Sequence, residues 1–444
     1  MPDDDGGTWD FPERGYACPC CGAPFTANGE DVSWRLEWVV RVVRRTTRRR
    51  RYRRACACYG PATVMAPGEP RALGKGLWTN RSLALLLVER YGAGRSLNSL
   101  VAGLARHGAV LAAPTLVGAC AQAGVLLAPL VEAIRQRSQA SWHLHADETS
   151  WKVFTPNGGG KPQRWWLWVS LGEDTVCFVI DQTRASSVLT GHLGLTEQAD
   201  GTLTAPGGGE RVLSSDFYAV YVSVGRRRAG LVNLYRVAHL RRYFPRARLS
   251  NPVQLEYWEK AWLDRFRALY TAHRELATAW ARARDTPGPD ADTRLAEAYT
   301  AWDGAIEAID TARREQQASP GLQPAAKDAL ATLEREWDGV VAHRDYPMVD
   351  LDNNAAERAP RRPVVTRKNA YGSRTDDAAA LAAAVWTVLG TAEKHGLNTL
   401  TYLTAYLDAC GRAGGKPPQG TDLDRFLPWL ASPDDLATWK QPPG

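Results

Sequence analysis

The chain has 444 residues, 44% of them hydrophobic, with 55 Lys and Arg against 48 Asp and Glu for a formal charge of +7. That length outgrows one ordinary hydrophobic core and predicts two to four domains. No uninterrupted apolar run of membrane-spanning length stands out, and the acidic, Gly-rich start Met1–Gly7 has neither the basic head nor the apolar middle of a secretory signal, so a cytoplasmic protein without a membrane partner is expected.

Residues 1–14 are expected to be disordered, and residues 15–60 form a first module. Cys18-Pro19-Cys20-Cys21 contains a CxxC pair and Cys56-Ala57-Cys58 a tighter one. Thiolates so spaced suit one structural Zn2+ held by Cys18, Cys21, Cys56 and Cys58, which would organise a segment too small and too charged to fold on a core of its own. Redox-active or metal-free cysteines are the alternative. Cys120, Cys177 and Cys410 stand singly in apolar segments and read as small buried hydrophobes. Between the pairs, residues 32–54 hold ten Arg against Glu37 alone. Val39–Arg45 and Thr46–Tyr52 read as two antiparallel strands, a ribbon whose Arg48, Arg49, Arg50 and Arg51 could grip phosphates; a solvated edge that discourages sheet pairing is the other reading.

Pro61, Pro67, Pro70 and several glycines make residues 61–76 a linker. Residues 77–140 are then helical: Ser82–Arg90, Ser96–Leu104, a break at His107-Gly108, and a third helix opening near Pro114. Helix, short turn, helix suits a helix-turn-helix reader of DNA, and equally a plain helical spacer.

Residues 141–250 are expected to be α/β. Trp142–Thr149 alternates His143, His145 and Asp147 on a polar face with Trp142, Leu144 and Ala146 on an apolar one, which predicts a strand delivering the Asp147 carboxylate to one face of a sheet. Glu148 should point off the opposite face. Arg164–Val169 and Val176–Ile180 read as buried strands, with a hairpin break at Asn157–Gly160. Arg211–Asp216 is a short strand ending in a second carboxylate, Asp216, before the helix-like Phe217–Tyr221. From Phe217 to Ser250 there are eight Arg and no acidic residue, where a polyanionic strand would lie. Residues 251–345 carry Leu255, Trp258, Trp262, Phe266 and Leu269, then Leu295, Tyr299, Trp302, Ile306 and Ile309, then Leu330, Leu333 and Trp337 at helical spacing, which predicts an inserted helical hairpin or bundle.

Residues 346–410 return to the α/β domain. Asp352-Asn353-Asn354-Ala355-Ala356-Glu357-Arg358 places a third carboxylate, Glu357, on a short helix that Asp352 or Asn353 can cap and Pro360 limits. Two strand-end Asp and a helix-borne Glu can converge on a pair of divalent ions. Helices are expected over Ala378–Leu389 and Thr399–Leu407, and order should fall in the tail, 411–444, apart from a docking contact at Phe426–Leu430.

The blocks His145–Thr149, Ser215–Tyr221, Ala238–Phe244 and Asp352–Asn369, in this order and behind a cysteine module, resemble a transposase of the insertion-sequence 66 family, within the DDE superfamily. The resemblance implies a multidomain α/β protein: an N-terminal zinc-binding module, a helix-turn-helix-like region, and a ribonuclease-H-like catalytic domain with a long helical insertion. It implies catalysis by Asp147, Asp216 and Glu357 holding two Mg2+ (or Mn2+), first for water attack at an element's end and then for attack of the freed 3′-hydroxyl on target DNA. Arg241, Arg242, Arg358, Arg361, Arg367 and Lys368 become phosphate-contact candidates, and His239, Asn353 and Asn354 supporting residues around the carboxylates. Partners would be the element's terminal repeats and target DNA, further copies of the chain, and accessory proteins encoded by the element, in the cytoplasm at the nucleoid. A non-catalytic DNA-binding descendant, or a nuclease that cuts without joining, uses the same residues.

Overall fold

The computed structural model describes residues 17–24, 40–56, 59–154, 161–205, 209–352 and 359–442. Near the N-terminus, β1 (Arg51–Arg53) pairs antiparallel with β2 (Thr63–Met65). This corrects the expected pairing of Val39–Arg45 with Thr46–Tyr52: residues 40–50 carry no strand, and the partner lies in the stretch expected to be linker. Adjacent arginines repel across a ladder, whereas Thr63-Val64-Met65 offers an uncharged, partly β-branched partner.

Next come α1 (Asn80–Leu87), a π-helical turn (Val88–Gly92), α2 (Leu97–Arg106) and α3 (Ala113–Gln139). Thr79 and Ser96 cap the first two through their side-chain oxygens, and Pro114 opens α3, where no backbone donor is required. Among the described residues α3 alone is long and apolar enough to cross a membrane. Its Leu116, Leu127, Leu130 and Ile134 are fully buried in the main core.

The central sheet begins with an antiparallel meander, β3 (His143–Val153), β4 (Gln163–Leu171) and β5 (Val176–Asp181). After α4 (Ser186–His192) and a small hairpin of β6 (Thr196–Glu197) and β7 (Leu203–Thr204), β8 (Arg211–Ser215) joins β3 in parallel. A crossover through α5 (Ala219–Arg227) then adds β9 (Leu231–Tyr235), giving the order β5-β4-β3-β8-β9. Alternation along β3 puts Leu144 and Ala146 in a cluster with Trp168, Leu213 and Tyr221, and Trp151 and Val153 in the main core with α3. Trp142, expected on the apolar face, is exposed ahead of the strand, its indole N–H donated to Glu173.

The insertion follows α6 (Val237–Ser250): α7 (Glu256–Asp285), α8 (Pro289–Gln317), α9 (Pro324–Arg335) and α10 (Trp337–Val341). Trp262, Phe266, Leu269, Trp302, Ile309, Leu330 and Leu333 form its core together with Leu240 and Phe244 of α6, so the bundle is built onto the α/β unit. Gln316 accepts the indole N–H groups of Trp258 at 2.8 Å and Trp262 at 2.9 Å, satisfying both donors inside the bundle.

The chain then returns as α11 (Arg361–Ala370), α12 (Asp376–Lys394) and α13 (Thr399–Arg412). Trp386 of α12 packs edge-on to Trp151 and Phe178, with ring centroids 5.3 and 6.1 Å away. Thr387 and Thr391 accept the Phe178 and Val176 N–H groups at 2.9 and 3.1 Å, so α12 covers the edge strand β5 and satisfies its donors. The tail was expected to lose order, but α14 (Thr421–Asp424) and α15 (Pro433–Lys440) pack back on α13. Phe426 and Trp439 stack at 5.5 Å, and the Tyr402 hydroxyl donates to the Phe426 carbonyl at 2.7 Å; burial of these two rings outweighs the glycines and prolines around them.

Candidate catalytic site and nucleic-acid interface

The parallel pairing of β3 with β8 matches His143, Leu144 and His145 to Val212, Leu213 and Ser214, each partner 69 positions later. Asp147 and Asp216 are also 69 apart. Continued two residues past the ladder, this register would bring the two aspartates next to each other where β8 ends, and the Asp216 charge acts on both Asp147 and Glu148. Burial raises the Asp147 carboxyl above its ordinary value and the nearby Asp216 charge raises it further, while Arg236 acts the other way.

Arg236, one of the eight arginines between Phe217 and Ser250, pairs with Asp147. It stands between β9 and α6, 3% exposed, with Nη1 3.3 Å from Asp147 Oδ2 and Nη2 donating to the Ala146 carbonyl at 2.8 Å. Its backbone N–H reaches the Ser215 carbonyl at 3.3 Å. One residue thus stitches together the two strands that carry the aspartates. A charged residue directly after the apolar strand Leu231–Tyr235 was the available signal.

Glu148 turns to the opposite face, as alternation requires, and is buried against Arg184 and the Tyr221 hydroxyl. Burial raises its carboxyl as well. On the aspartate face, His143 shares a hydrogen bond of 2.9 Å with the Ser214 hydroxyl and packs on His145 with ring centroids 4.3 Å apart; burial pushes His143 down to about 4.

Glu357, Asn353, Asn354 and Arg358 lie outside the described residues. The chain leading to them is held by the insertion and α6. Asp352, expected as a helix cap, accepts the Tyr270 hydroxyl of α7 at 2.5 Å, and Leu351 accepts the Val237 N–H at 3.1 Å. On the far side, Pro360 is the residue preceding α11. Arg367 of α11, expected to face phosphate, packs on β3: its guanidinium donates to the Ser150 carbonyl and to Thr149 Oγ1, the latter at 3.2 Å. A half-buried arginine beside free carbonyls satisfies them before it reaches outward. Gly372 makes this docking possible, because a Cβ there would sit 2.1 Å from the Lys152 carbonyl oxygen. Arg361 and Lys368 are exposed.

Arg241 and Arg242 are exposed on α6, Arg241 with its guanidinium 5.9 Å from the Tyr270 ring centroid. His239 packs edge-on to Phe217, centroids 6.2 Å apart, next to Asp216 in sequence. At the N-terminus, Arg48, Arg49, Arg50 and Arg51 are exposed, and Arg49 Nε donates to the Ala66 carbonyl at 2.7 Å. Cys18 sits in a tight turn closed by Gly22 N–H to the Cys18 carbonyl and Cys18 N–H to the Ala23 carbonyl, both 2.8 Å. Hydrogen bonds from the Cys20 and Cys21 backbone hold the Cys18 thiol below its ordinary value. Cys21 and Cys56 are exposed, Cys58 lies outside the described residues, and among those described no three His, Cys, Asp or Glu side chains gather as a metal site.

The fold is that of a mixed α/β protein, with Asp147 and Asp216 near the end of its mixed sheet and the arginine-bearing α6 beside them. The chain belongs to the IS66 transposase family: the family model, Transposase IS66 family, matches residues 75–381, a span that contains Asp147, Asp216 and Glu357. Similarity extends beyond that span. Uncharacterized protein y4qI of Sinorhizobium fredii (strain NBRC 101917 / NGR234) is 26% identical over 438 residues, covering 94% of this chain and 74% of the relative. Uncharacterized protein y4jD of the same strain is 22% identical over 436 residues, covering 95% and 79%.

Proposed function

We propose that the protein cuts DNA at the ends of a mobile element and joins the freed 3′-hydroxyl to target DNA at a single carboxylate site. Membership of a transposase family supports the activity, and the observation that supports the chemistry is the β3–β8 register, which continued two residues would pair Asp147 with Asp216. The sheet order, a three-strand antiparallel meander extended by two parallel strands, supports a ribonuclease-H-like reading.

The residues fit hard divalent cations: the donors are carboxylate oxygens, and Asp147 keeps 23% of its side chain open to solvent. Asp147 and Asp216, completed by Glu357, would hold Mg2+ or Mn2+, which when bound would activate the attacking oxygen and stabilise the leaving one. Arg236 opposes the upward shift that burial imposes on Asp147 and would hold its carboxylate in place before loading. Arg241, Arg242, Arg361 and Lys368 supply exposed cations for flanking phosphates, and Arg48 to Arg51 add a second grip at the N-terminus, which Cys18, Cys21, Cys56 and Cys58 would fasten around Zn2+. Copies of the chain would assemble on the DNA, at the nucleoid.

The test uses full-length protein, Mg2+ and a duplex carrying the element's terminal repeat beside a target duplex. Nicked ends with 3′-hydroxyls and joined products are expected. Bound but intact DNA would overturn the proposal, and cutting without joining would reduce it to a nuclease.

A further inference from the structure

We infer that Glu148 is a positioning residue for Asp216, acting from the far face of the sheet through Arg184, Tyr218 and Tyr221. The inference rests on the two-aspartate reading of the site. Asp147 and Glu148 are consecutive in β3, so one acid goes to each face. The Glu148 side chain is 1% exposed and lies beside the cluster of Leu144, Ala146, Trp168 and Leu213. An isolated carboxylate there would be costly, and a buried ion pair contributes little net stability over an apolar replacement of similar size. Its contacts give it another use.

Glu148 accepts Arg184 Nε at 3.0 Å and the Tyr221 hydroxyl. Tyr221 belongs to α5, the helix that starts just after Asp216, while Arg184 comes from the loop after β5. The Arg184 guanidinium lies 3.5 Å from the Tyr218 ring centroid and 4.5 Å from that of Trp166, so the ion pair also fixes Tyr218. Tyr218 in turn donates its backbone N–H to Asp216 Oδ1 at 3.0 Å. The Glu148 carboxylate therefore holds Tyr221 of α5 directly and, through Arg184, Tyr218, whose backbone N–H orients the Asp216 carboxylate. Trp168, edge-on to Tyr221 at 6.3 Å, closes the arrangement from below. The same strand thus supplies one aspartate directly and aims the other indirectly.

Mn2+ alone is the probe, titrated into the full-length chain and followed by the loss of free-ion spectroscopic signal, with thermal midpoints recorded for each variant. Tyr221→Phe deletes one hydroxyl and keeps the ring's packing; Glu148→Gln keeps the shape and removes the charge. Both should raise the Mn2+ half-saturation concentration about 10-fold, in the range found for residues that orient metal ligands, with Tyr221→Phe retaining the wild-type thermal midpoint. Wild-type Mn2+ binding in both variants would overturn the inference, as would a loss that only tracks the unfolded fraction. Asp216→Asn serves as the reference: if it binds Mn2+ as the wild type does, the two-aspartate reading itself fails and takes the inference with it.

Discussion

Replacing Arg236 by Met removes a cation from the centre of the candidate site and keeps most of the side chain's volume. The guanidinium lies 3.3 Å from Asp147 Oδ2 and also satisfies the Ala146 carbonyl at 2.8 Å, so the variant leaves a carboxylate and a carbonyl without their partner. Breaking a buried pair on one side costs about 3–5 kcal/mol. The low end, about 3 kcal/mol, applies here because Asp147 retains 23% of its side chain in solvent. A divalent ion on Asp147 would supply the missing positive charge. Saturating Mn2+ should therefore recover more stability in Arg236→Met than it adds to the wild type, by mass action on a site the unfolded chain lacks. Urea unfolding of both proteins, with and without Mn2+, measures the four free energies. Equal Mn2+ increments in the two, or a metal-free variant as stable as the wild type, would refute the reasoning.

Three further outcomes are expected. Protein purified without chelators should carry about one Zn2+ per chain, absent from Cys18→Ser or Cys56→Ser, as metal analysis would show. Reversing the charges of Arg48 to Arg51 should weaken DNA binding and flatten its salt dependence, by roughly one unit of log–log slope for each phosphate that is no longer neutralised. Burial holds His143 and His192 down to about 4 and His343 down to about 3. These rings stay neutral in the fold but charge in the unfolded chain below about pH 6.5, so stability is intact above that pH and falls as pH drops towards 4. Thermal midpoints should follow this course, and His343→Gln should reduce the slope by about one proton.

Period-two patterning located the strands that matter, because β3 is buried unequally on its two faces and β8 is a short, mostly buried run directly followed by the charged Asp216. The helical insertion was legible for a similar reason: Trp262, Phe266, Leu269 and Trp302 repeat at helix spacing and nothing else could bury them. Side-chain pairings distant in sequence were not legible. Arg236 meets Asp147 across 89 positions; its place directly after an apolar strand hints that it turns inward, as Arg228 also does, but nothing local names Asp147 as its partner. The partners of Arg367 were hidden on the same ground, since they are carbonyl and hydroxyl oxygens of β3 more than two hundred residues earlier. The β1–β2 ribbon was misplaced because an arginine run looks the same whether it pairs with itself or with Thr63–Met65.

The central claim is that Asp147 and Asp216 are ligands of the ions that drive DNA cleavage, and a change of ligand hardness tests it most directly. Asp216→Cys exchanges a hard oxygen donor for a thiolate, which disfavours Mg2+ far more than Mn2+. Cleavage of terminal-repeat DNA by this variant should vanish in Mg2+ and return in part with Mn2+, with DNA binding unchanged. Cleavage at the wild-type rate in Mg2+ would contradict the account, since the side chain at 216 would then not touch the ion.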